Sequence, residues 1–424
     1  MLKTLRDAWK VPELRRKILF TLFCLLIYRI GNQIPAPYIN KEALSQIFDS
    51  SNGGVLSFLD MMAGGALSQM NIFGMSIYPY ITASIIIQLL TVAIPKLEEL
   101  AKEGADGRRK INKITRITGV VLAIIQATGI LYGVIYRAII ATSTIQHIII
   151  IATLVAGTSF LVWLGDRITE NGIGNGISLI IFVGIISRLP SMVIHNYRLV
   201  QAGTASWVSF FVFAAIIILT VAFVVLIQEG ERRIPVQYAK RVVGRRVYGG
   251  QATHIPIKVN MASVMPVIFA TTFMQIPGTI AQFSDGAFSR FLTNYFSIEG
   301  RVGFWIYFVV NIVLIIFFTY FYNAIQFNTV EYSKNIQSQG GFIPGIRPGK
   351  PTSQYLSRTV NRITLVGGIA LAILASLPLL VRHYSNLQVA FSGTGIIIVV
   401  GVALETIKQL EAQLTMRHYK GFLN

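Results

Sequence analysis

The acidic residues are the side chains of this sequence that could carry ions or protons across a membrane. None of the 18 Asp and Glu residues lies in the middle of any of the ten hydrophobic stretches that run from Ile18 to Thr406. Ionisable groups at membrane depth are costly and are retained there because a function uses them. The pattern therefore favours a passive conduit over an ion-coupled pump.

The remaining reactive side chains predict no second kind of site. The five His residues are scattered without metal-ligand spacing, and Cys24 stands alone inside the first apolar stretch. We expect no metal centre and no disulfide. Since the sequence has no Ser/His/Asp or Cys/His arrangement, no acidic pair and no nucleotide motif, we also expect neither an enzyme nor a cofactor.

One glycine-rich segment, NGIGNG at Asn171–Gly176, has a weak likeness to a phosphate-binding loop. Its spacing is not that of such a loop, no strand precedes it, and a membrane span follows it. We expect a flexible helix start instead.

The composition is that of a membrane protein, because 53% of the residues are hydrophobic and only 13% are charged. A soluble domain has about 25% charged residues, and a helix of about 20 apolar residues crosses the bilayer. We predict an all-α polytopic fold with ten transmembrane helices, the first retained rather than cleaved. The predicted spans are Ile18–Ile34, Phe73–Ile94, Ile114–Ile135, Ile148–Leu164, Ile173–Leu189, Trp207–Ile227, Met261–Ile280, Phe304–Phe321, Ile363–Val381 and Phe391–Thr406.

The basic residues, which give a net charge of +19, determine the predicted orientation. Most of them lie in the N-terminal segment, in the loops after spans 2, 6 and 8, and in the C-terminal tail. Because cytoplasmic loops carry an excess of Lys and Arg, we place both termini in the cytoplasm. The even number of spans agrees with this orientation.

The spans divide into an N-terminal half, 1–189, and a C-terminal half, 207–424, joined by an external hinge loop at 190–206. Five helices in each half give the halves opposite orientations. This is the arrangement of two inverted repeats around a central path.

A segment between the first two spans, Gly53–Gln69, is too short to cross the membrane and too apolar for a solvated loop. The residues alone leave two interpretations open. One is an amphipathic helix on the outer surface; the other is a short re-entrant helix folded back into the protein centre.

Two long cytoplasmic loops, 229–258 and 331–362, combine basic residues with aromatic and β-branched neighbours. Alternation over Arg233–Tyr238 predicts a hairpin-like projection, and GGFIPGIRPGKP at Gly340–Pro351 predicts an exposed tip that presents Arg347. Ordinary cytoplasmic topology explains much of this charge. Docking of a large cytosolic partner better explains why it lies in structured loops, and contact with ribosomal RNA would be salt-sensitive.

Long motifs spread over both halves of the chain are similar to the SecY family, the channel subunits of the bacterial Sec protein translocase. The similarity covers nearly the whole length. The segments that carry it are GGALSQMNIFGMSIYPYITASIIIQLLT (Gly64–Thr91), KEGADGRRKI (Lys102–Ile111), ITENGIGNGISLIIF (Ile168–Phe182), RRIPVQYAKR (Arg232–Arg241), HIPIKVNMASVMPVIFA (His254–Ala270), GIRPG (Gly345–Gly349) and SGTGIIIVVGVALET (Ser392–Thr406).

The resemblance implies an hourglass pore that unfolded polypeptides cross and from which hydrophobic helices leave sideways into the membrane lipids. Its pore ring, which we call the collar, maps onto Ile77, Ile81, Ile177, Ile181, Ile268 and Ile398. Two i,i+4 pairs among these isoleucines each share one helical face. A hydrophobic constriction of this kind excludes ions by dewetting.

The resemblance also assigns a plug to residues 56–69 and a lateral gate to helices 2, 3, 7 and 8, where weak interhelical hydrogen bonds suit a seam that opens repeatedly. An apolar signal sequence would shift the gate between closed and open states. The plug residues are Leu56, Phe58, Leu59, Met61, Met62, Gly64, Gly65 and Leu67, and the gate residues are Thr82, Ser84, Gln88, Gln126, Ser263 and Gln275.

The two basic loops resemble the family's docking sites for the SecA motor ATPase and the ribosome, through Arg245, Arg246 and Arg347. The resemblance further implies the small subunits SecE and SecG, preproteins with signal sequences as clients, and the bacterial cytoplasmic membrane as location. The energy source is then external.

A few positions depart from the family pattern. Ser76 and Ser263 stand where the family often has Gly, and Ser392–Gly395 replaces a more usual Gly-Gly-Thr-Ser. These residues lie on gate and pore helices, so they bear on gating energetics.

Two other functions, those of a transporter and of an enzyme, fit the sequence less well. A secondary transporter of a small solute shares inverted repeats and midplane sites. The lack of carboxylates within the spans counts against coupling to cations, and a small solute does not require large basic loops. An intramembrane enzyme is remote because paired catalytic residues are missing from the sequence.

Overall fold

The computed structural model describes residues 2–40, 42–44, 60, 63–133, 135–140, 143–203, 206–238, 241–243, 246–248, 252–261, 264–282, 291, 295, 301–384 and 393–421. Over these residues the chain is mainly helical. The helices are α1 (Leu2–Lys10), α2 (Pro12–Gly31), α3 (Tyr78–Ala93), α4 (Pro95–Lys102), α5 (Ala105–Gly133), α6 (Thr144–Asn171), α7 (Gly176–Ser187), α8 (Leu189–Gln201), α9 (Trp207–Glu229), α10 (Met265–Gln282), α11 (Arg301–Gln326), α12 (Thr329–Ser338), α13 (Lys350–Tyr384) and α14 (Gly393–Gly421). The strands are β1 (Glu231–Tyr238), β2 (Arg241–Val243), β3 (Arg246–Tyr248), β4 (Ala252–Lys258) and β5 (Gly341–Phe342).

Each of the ten predicted spans lies on one or more of these helices, which is consistent with the all-α polytopic prediction. Among the described residues, six helices are long and apolar enough to cross a membrane, or seven if the bent pair α3–α4 is one span. The chain is therefore a multi-pass membrane protein.

The bend between α3 and α4 is 101° and has a local cause. Pro95 opens α4, and the residue before it, Ile94, is extended at φ −109° and ψ 114°. Proline disfavours helical backbone in the residue that precedes it. The apolar helix therefore stops here, and a charged helix continues in a new direction.

The predicted hinge loop at 190–206 is helical over most of its length, since α8 occupies Leu189–Gln201. Pro190 lies in the first turn of α8, where its missing N–H costs nothing. The connection predicted for 190–206 is therefore a helix over its first part, because a proline in the first turn starts a helix. The hinge itself stays a prediction.

Contacts between Cα atoms divide the chain into two units. Unit 1 comprises Met1–Ala205, Met274–Tyr307 and Val402–Asn424, and unit 2 comprises Ser206–Phe273 and Phe308–Gly401. The predicted halves 1–189 and 207–424 differ from this division and stay a prediction.

In unit 1, α5 packs between α3 and α6. A core cluster of unit 1 contains buried residues from the stretch before α3, from α5 and the connection after it, and from α6; they are Leu44, Ala63, Ala66, Leu67, Met70, Met75, Ala123, Ala127, Leu131, Ile135, Ala138, Ile150 and Leu154. Small residues on α5 allow this close packing: a Cβ on Gly119 would lie 3.5 Å from Tyr80 of α3.

The NGIGNG segment is a tightly packed joint between α6 and α7. The side chain of Asn175 caps α7 by accepting hydrogen bonds from the amides of Ile177 and Ser178, at 3.1 and 3.3 Å. A Cβ on Gly176 would collide with the carbonyl of Gly165. The glycines are therefore needed for close approach of two helices, and the expected flexible start gives way to a packing role.

In unit 2, the two long basic loops are joined by one antiparallel sheet of order β4-β1-β5. Its apolar residues pack on α12 and α13, with Ile234, Val236, Ile257, Ile336, Ile343, Leu356 and Val360 buried together. The predicted hairpin-like projection at Arg233–Tyr238 is instead the central strand β1, which pairs with β4 from its own loop and β5 from the next one. Separately, β2 and β3 form a small hairpin.

Candidate functional site

The described part of the predicted plug lies inside unit 1. Gly64 and Gly65 adopt φ values of +66° and +89°, a region in which residues with a side chain are strained. Leu67 is 1% exposed and belongs to the unit 1 core. Leu56, Phe58, Leu59, Met61 and Met62 lie outside the described residues. Burial of this part favours the folded-back segment over a helix on the outer surface.

The two glycines bring this segment against the end of α7. A Cβ on Gly64 would lie 3.0 Å from the Cα of Gly184, and a Cβ on Gly65 would lie 3.2 Å from Nε of Arg188. Larger residues would push the segment away from α7. Glycine is therefore favoured at positions 64 and 65 both by the close approach to α7 and by the positive φ.

Asp60 is the residue of this segment that the sequence analysis missed. Its side chain is 4% exposed and forms an ion pair with Arg188, whose side chain is 27% exposed. The other Asp60 oxygen accepts a hydrogen bond from the Ser68 amide at 2.7 Å. An apolar segment with one carboxylate does imply a buried partner, but Arg188 is 128 residues away in the sequence.

The collar isoleucines divide between the two units, and each set is described separately. In unit 1, Ile77 immediately precedes α3 and Ile81 lies in its first turn; each of them is buried, and so is Ile181 of α7. Ile177 is half-buried and packs on α6, since a Cβ on Gly165 would lie 2.9 Å from its Cγ1. In unit 2, Ile398 is buried and Ile268 is half-buried. Their common role as a collar stays a prediction.

The gate residues that the structure describes are half-buried on α3 and α5: these are Thr82, Ser84, Gln88 and Gln126. The Thr82 hydroxyl donates to the carbonyl of Tyr78, one turn earlier in the same helix, at 3.1 Å. This bond lies within a helix, so Thr82 differs from the expected pattern of interhelical bonds. Ser263 and the side chain of Gln275 lie outside the described residues.

The two basic loops, for which docking is predicted, form an anchored surface in unit 2, which we call the platform: β1, β4, β5, α12 and the loop 343–349. Ile343 is buried in the sheet core, and the Ser333 hydroxyl donates to the Gly349 carbonyl at 2.7 Å. Arg347 is exposed, and its carbonyl accepts from the Thr352 hydroxyl at 2.9 Å. The backbone around this guanidinium is therefore fixed while the side chain remains accessible.

The second pair of predicted docking residues is described less fully. Arg245 lies outside the described residues, and Arg246 begins β3 with its side chain outside them. Sequence reasoning found the exposed arginine but missed the sheet that holds it.

The sequence of this chain is similar to those of known proteins. The sequence model of the SecY family matches residues 71–407. The chain belongs to the SecY family.

The relatives extend this match beyond the family model. The chain is 42% identical to the protein translocase subunit SecY of Thermus thermophilus, over all of this chain and 98% of that protein. It is also 42% identical to the protein translocase subunit SecY of Thermotoga maritima, with the same coverage. Segments absent from the family model, including the plug segment, thus fall within the range shared with these SecY proteins.

A solved structure described as "The structure of a protein conducting channel" has the same fold. The TM-score is 0.66, with 17% identity and 96% of each chain covered. The sequence comparison and the structural comparison therefore agree on the fold.

Proposed function

We propose that this SecY-family chain is a protein-conducting channel that moves unfolded polypeptides across the cytoplasmic membrane of a bacterium and releases hydrophobic helices sideways into lipid. The observation that carries the proposal is the 42% identity, over the full chain, to a protein translocase subunit SecY. The absence of carboxylates from the middle of the predicted spans supports a passive path.

The collar and plug segment would seal the channel at rest. Isoleucine side chains offer no polar group that could hold an ion, so a narrow ring of them stays dry. A translocating strand displaces them by rotamer changes and meets no strong polar contact. The plug segment, buried against α7 by Gly64 and Gly65, would cover this ring from the outer side.

The lateral gate would open between α3 and α5 on one side and α10 and α11 on the other. Signal sequences would shift a closed–open equilibrium by binding the open state better. The half-buried polar residues of α3 and α5 give the seam little cohesion, because single hydrogen bonds within membranes average about 0.6 kcal/mol.

The platform would receive the SecA motor or the ribosome, with Arg347 as an accessible contact and with Arg245 and Arg246 of the other basic loop as further contacts. Contacts of Arg with RNA phosphates are electrostatic and depend on salt. SecE and SecG would complete the assembly, and both termini would lie in the cytoplasm.

Reconstitution tests this function directly. The purified chain is incorporated with SecE and SecG into vesicles, and a labelled preprotein, SecA and ATP are added. We expect the preprotein to become protease-protected, and to remain accessible when ATP is omitted or its signal sequence is deleted. Protection that is independent of the chain would overturn the proposal.

The competing function, a small-solute transporter, has no support from the comparisons, whose relatives are named as translocase subunits. In the same vesicles, a solute gradient driven by ions without any preprotein would be its signature.

A further inference from the structure

We propose that the ion pair between Asp60 and Arg188, here called the latch, holds the plug segment closed on α7 and sets the threshold that a signal sequence must overcome. The inference rests on the proposed channel function and adds two positioning residues to it. Neither residue is part of the collar, the gate or the platform.

The carboxylate of Asp60 is fixed by the turn that it closes. Its backbone carbonyl accepts from the Gly65 amide at 2.9 Å, and its side chain accepts from the Ser68 amide at 2.7 Å. The same turn contains Gly64 and Gly65 at positive φ. Movement of the plug segment as a body must therefore carry this carboxylate with it.

The backbone of Arg188 is fixed at the joint between α7 and α8. Arg188 ends α7, with its amide donating to the Ile185 carbonyl at 3.2 Å, and α8 begins at the next residue. Its guanidinium contacts Asp60 and lies 3.4 Å from the Ser68 hydroxyl. The two charges thus belong to two bodies that meet only while the segment lies on α7.

Apolar contacts and the latch contribute different things to the closed position. Leu67 and Met70 pack without directional preference in the unit 1 core, so they favour burial but not one register. The ion pair joins a buried carboxylate to a half-buried guanidinium in one geometry, and removing Arg188 leaves the buried charge of Asp60 uncompensated. The latch therefore specifies where the segment rests.

Water makes the latch release abruptly. In a dry site the attraction between the two charges is strong, while in water of high dielectric constant it falls steeply. Once a signal sequence opens the gate and water reaches the segment, both charges become hydrated and the pair loses its advantage. Opening then proceeds without a persistent electrostatic barrier.

The test compares D60N, R188Q and the charge swap D60R/R188D in the reconstituted complex. D60N retains an oxygen for the Ser68 amide, so it removes the charge and keeps the turn. We expect each single variant to raise translocation of a preprotein with a weakened signal sequence about tenfold, and the swap to return it to within threefold of the parent. Matched controls are E170Q and R167Q, which neutralise an exposed pair on α6 at 2.9 Å; these should change translocation less than twofold.

A labelling measurement reports the plug segment without any translocation. Cys24 is the only cysteine of the chain, so C24S supplies a cysteine-free background. In this background Ala66, which is 1% exposed, is replaced by Cys, which is also a small residue. A membrane-impermeant maleimide should label A66C about tenfold faster in D60N or R188Q than in the parent, and at near-parental rate in the swap.

Each outcome is decisive. Parental labelling rates in both single variants, or a swap that labels as fast as they do, would overturn the latch. If the single variants do not accumulate, a swap that accumulates with parental labelling supports the latch, and a swap that also fails overturns it. Failure of the parent to translocate any preprotein would remove the channel function, while the labelling result would still decide the ion pair.

Discussion

At the scale of single residues, the segment before α3 contains an unusual serine. Ser76 is 3% exposed and has a φ of 50°. L-residues in the left-handed region lose roughly 1–2 kcal/mol, whereas glycine adopts it freely. Ser76 immediately precedes the collar residue Ile77, so backbone strain lies next to the proposed seal.

Replacing Ser76 by glycine should relieve this strain. We expect S76G to raise the free energy of unfolding by about 1 kcal/mol, partly offset by the greater freedom of glycine in the unfolded chain. Thermal unfolding followed by circular dichroism measures the change. S76A is the matched control, because it removes the hydroxyl but keeps the Cβ; a gain as large in S76A as in S76G would contradict the strain argument.

The collar isoleucines make a separate prediction. Replacing Ile77, Ile181 or Ile398 with Asn places an amide in the proposed dry ring, where it can hold water. Export of preproteins with defective signal sequences should rise several-fold. The variant I181V, which stays apolar, should behave like the parent. Unchanged export in all three Asn variants would remove these residues from the seal.

At the scale of elements, local sequence predicted the helices well and their connections poorly. Each of the ten predicted spans overlaps a helix within the described residues, because apolar length is a local property. The sheet β4-β1-β5 was missed because β1 pairs with β5 from another loop, and pairing over that distance leaves no local pattern. The Asp60–Arg188 pair was missed for the same reason, with 128 residues between its members.

Deletion of Leu56–Gln69 tests the plug segment as an element. Since Leu67 is buried in the unit 1 core, its removal should open a path above the collar. We expect a higher resting ion conductance in planar bilayers, with frequent openings instead of a silent baseline. Replacing the segment by a Gly/Ser linker of equal length controls for chain connectivity and should conduct as the deletion does. A tight membrane in both cases would contradict the plug assignment.

The platform is tested by charge reversal at its exposed tip. R347E should lower SecA-driven translocation about tenfold and leave folding intact, because Arg347 is exposed while its backbone is held by Thr352. R347K, which preserves the charge, should retain most of the activity if the contact is mainly with phosphate or carboxylate charge. Parental rates in R347E would exclude this tip from docking.

At the scale of the whole molecule, the proposed function requires one passive, apolar path through which the translocating polypeptide passes. The family was predictable from the sequence because its motifs are long and occur in both halves. The placement of the collar isoleucines was not, because in an Ile-rich chain most isoleucines are packing residues and composition alone cannot single out six of them. Ile177, which packs on Gly165, illustrates how a residue of the proposed collar also contributes to helix packing.

Disulfide trapping of an arrested preprotein tests this path most directly. In the C24S background, Ile77, Ile181 and Ile398 are replaced singly by Cys, and a preprotein with one cysteine is arrested halfway through the membrane by a folded C-terminal domain. We expect all three positions to form disulfides with the same few residues of the arrested strand. Ile125 of α5, which is 55% exposed and is also replaced by Cys, should form none. Disulfides at Ile125 in place of the collar positions, or strands that react with none of the three, would contradict the account.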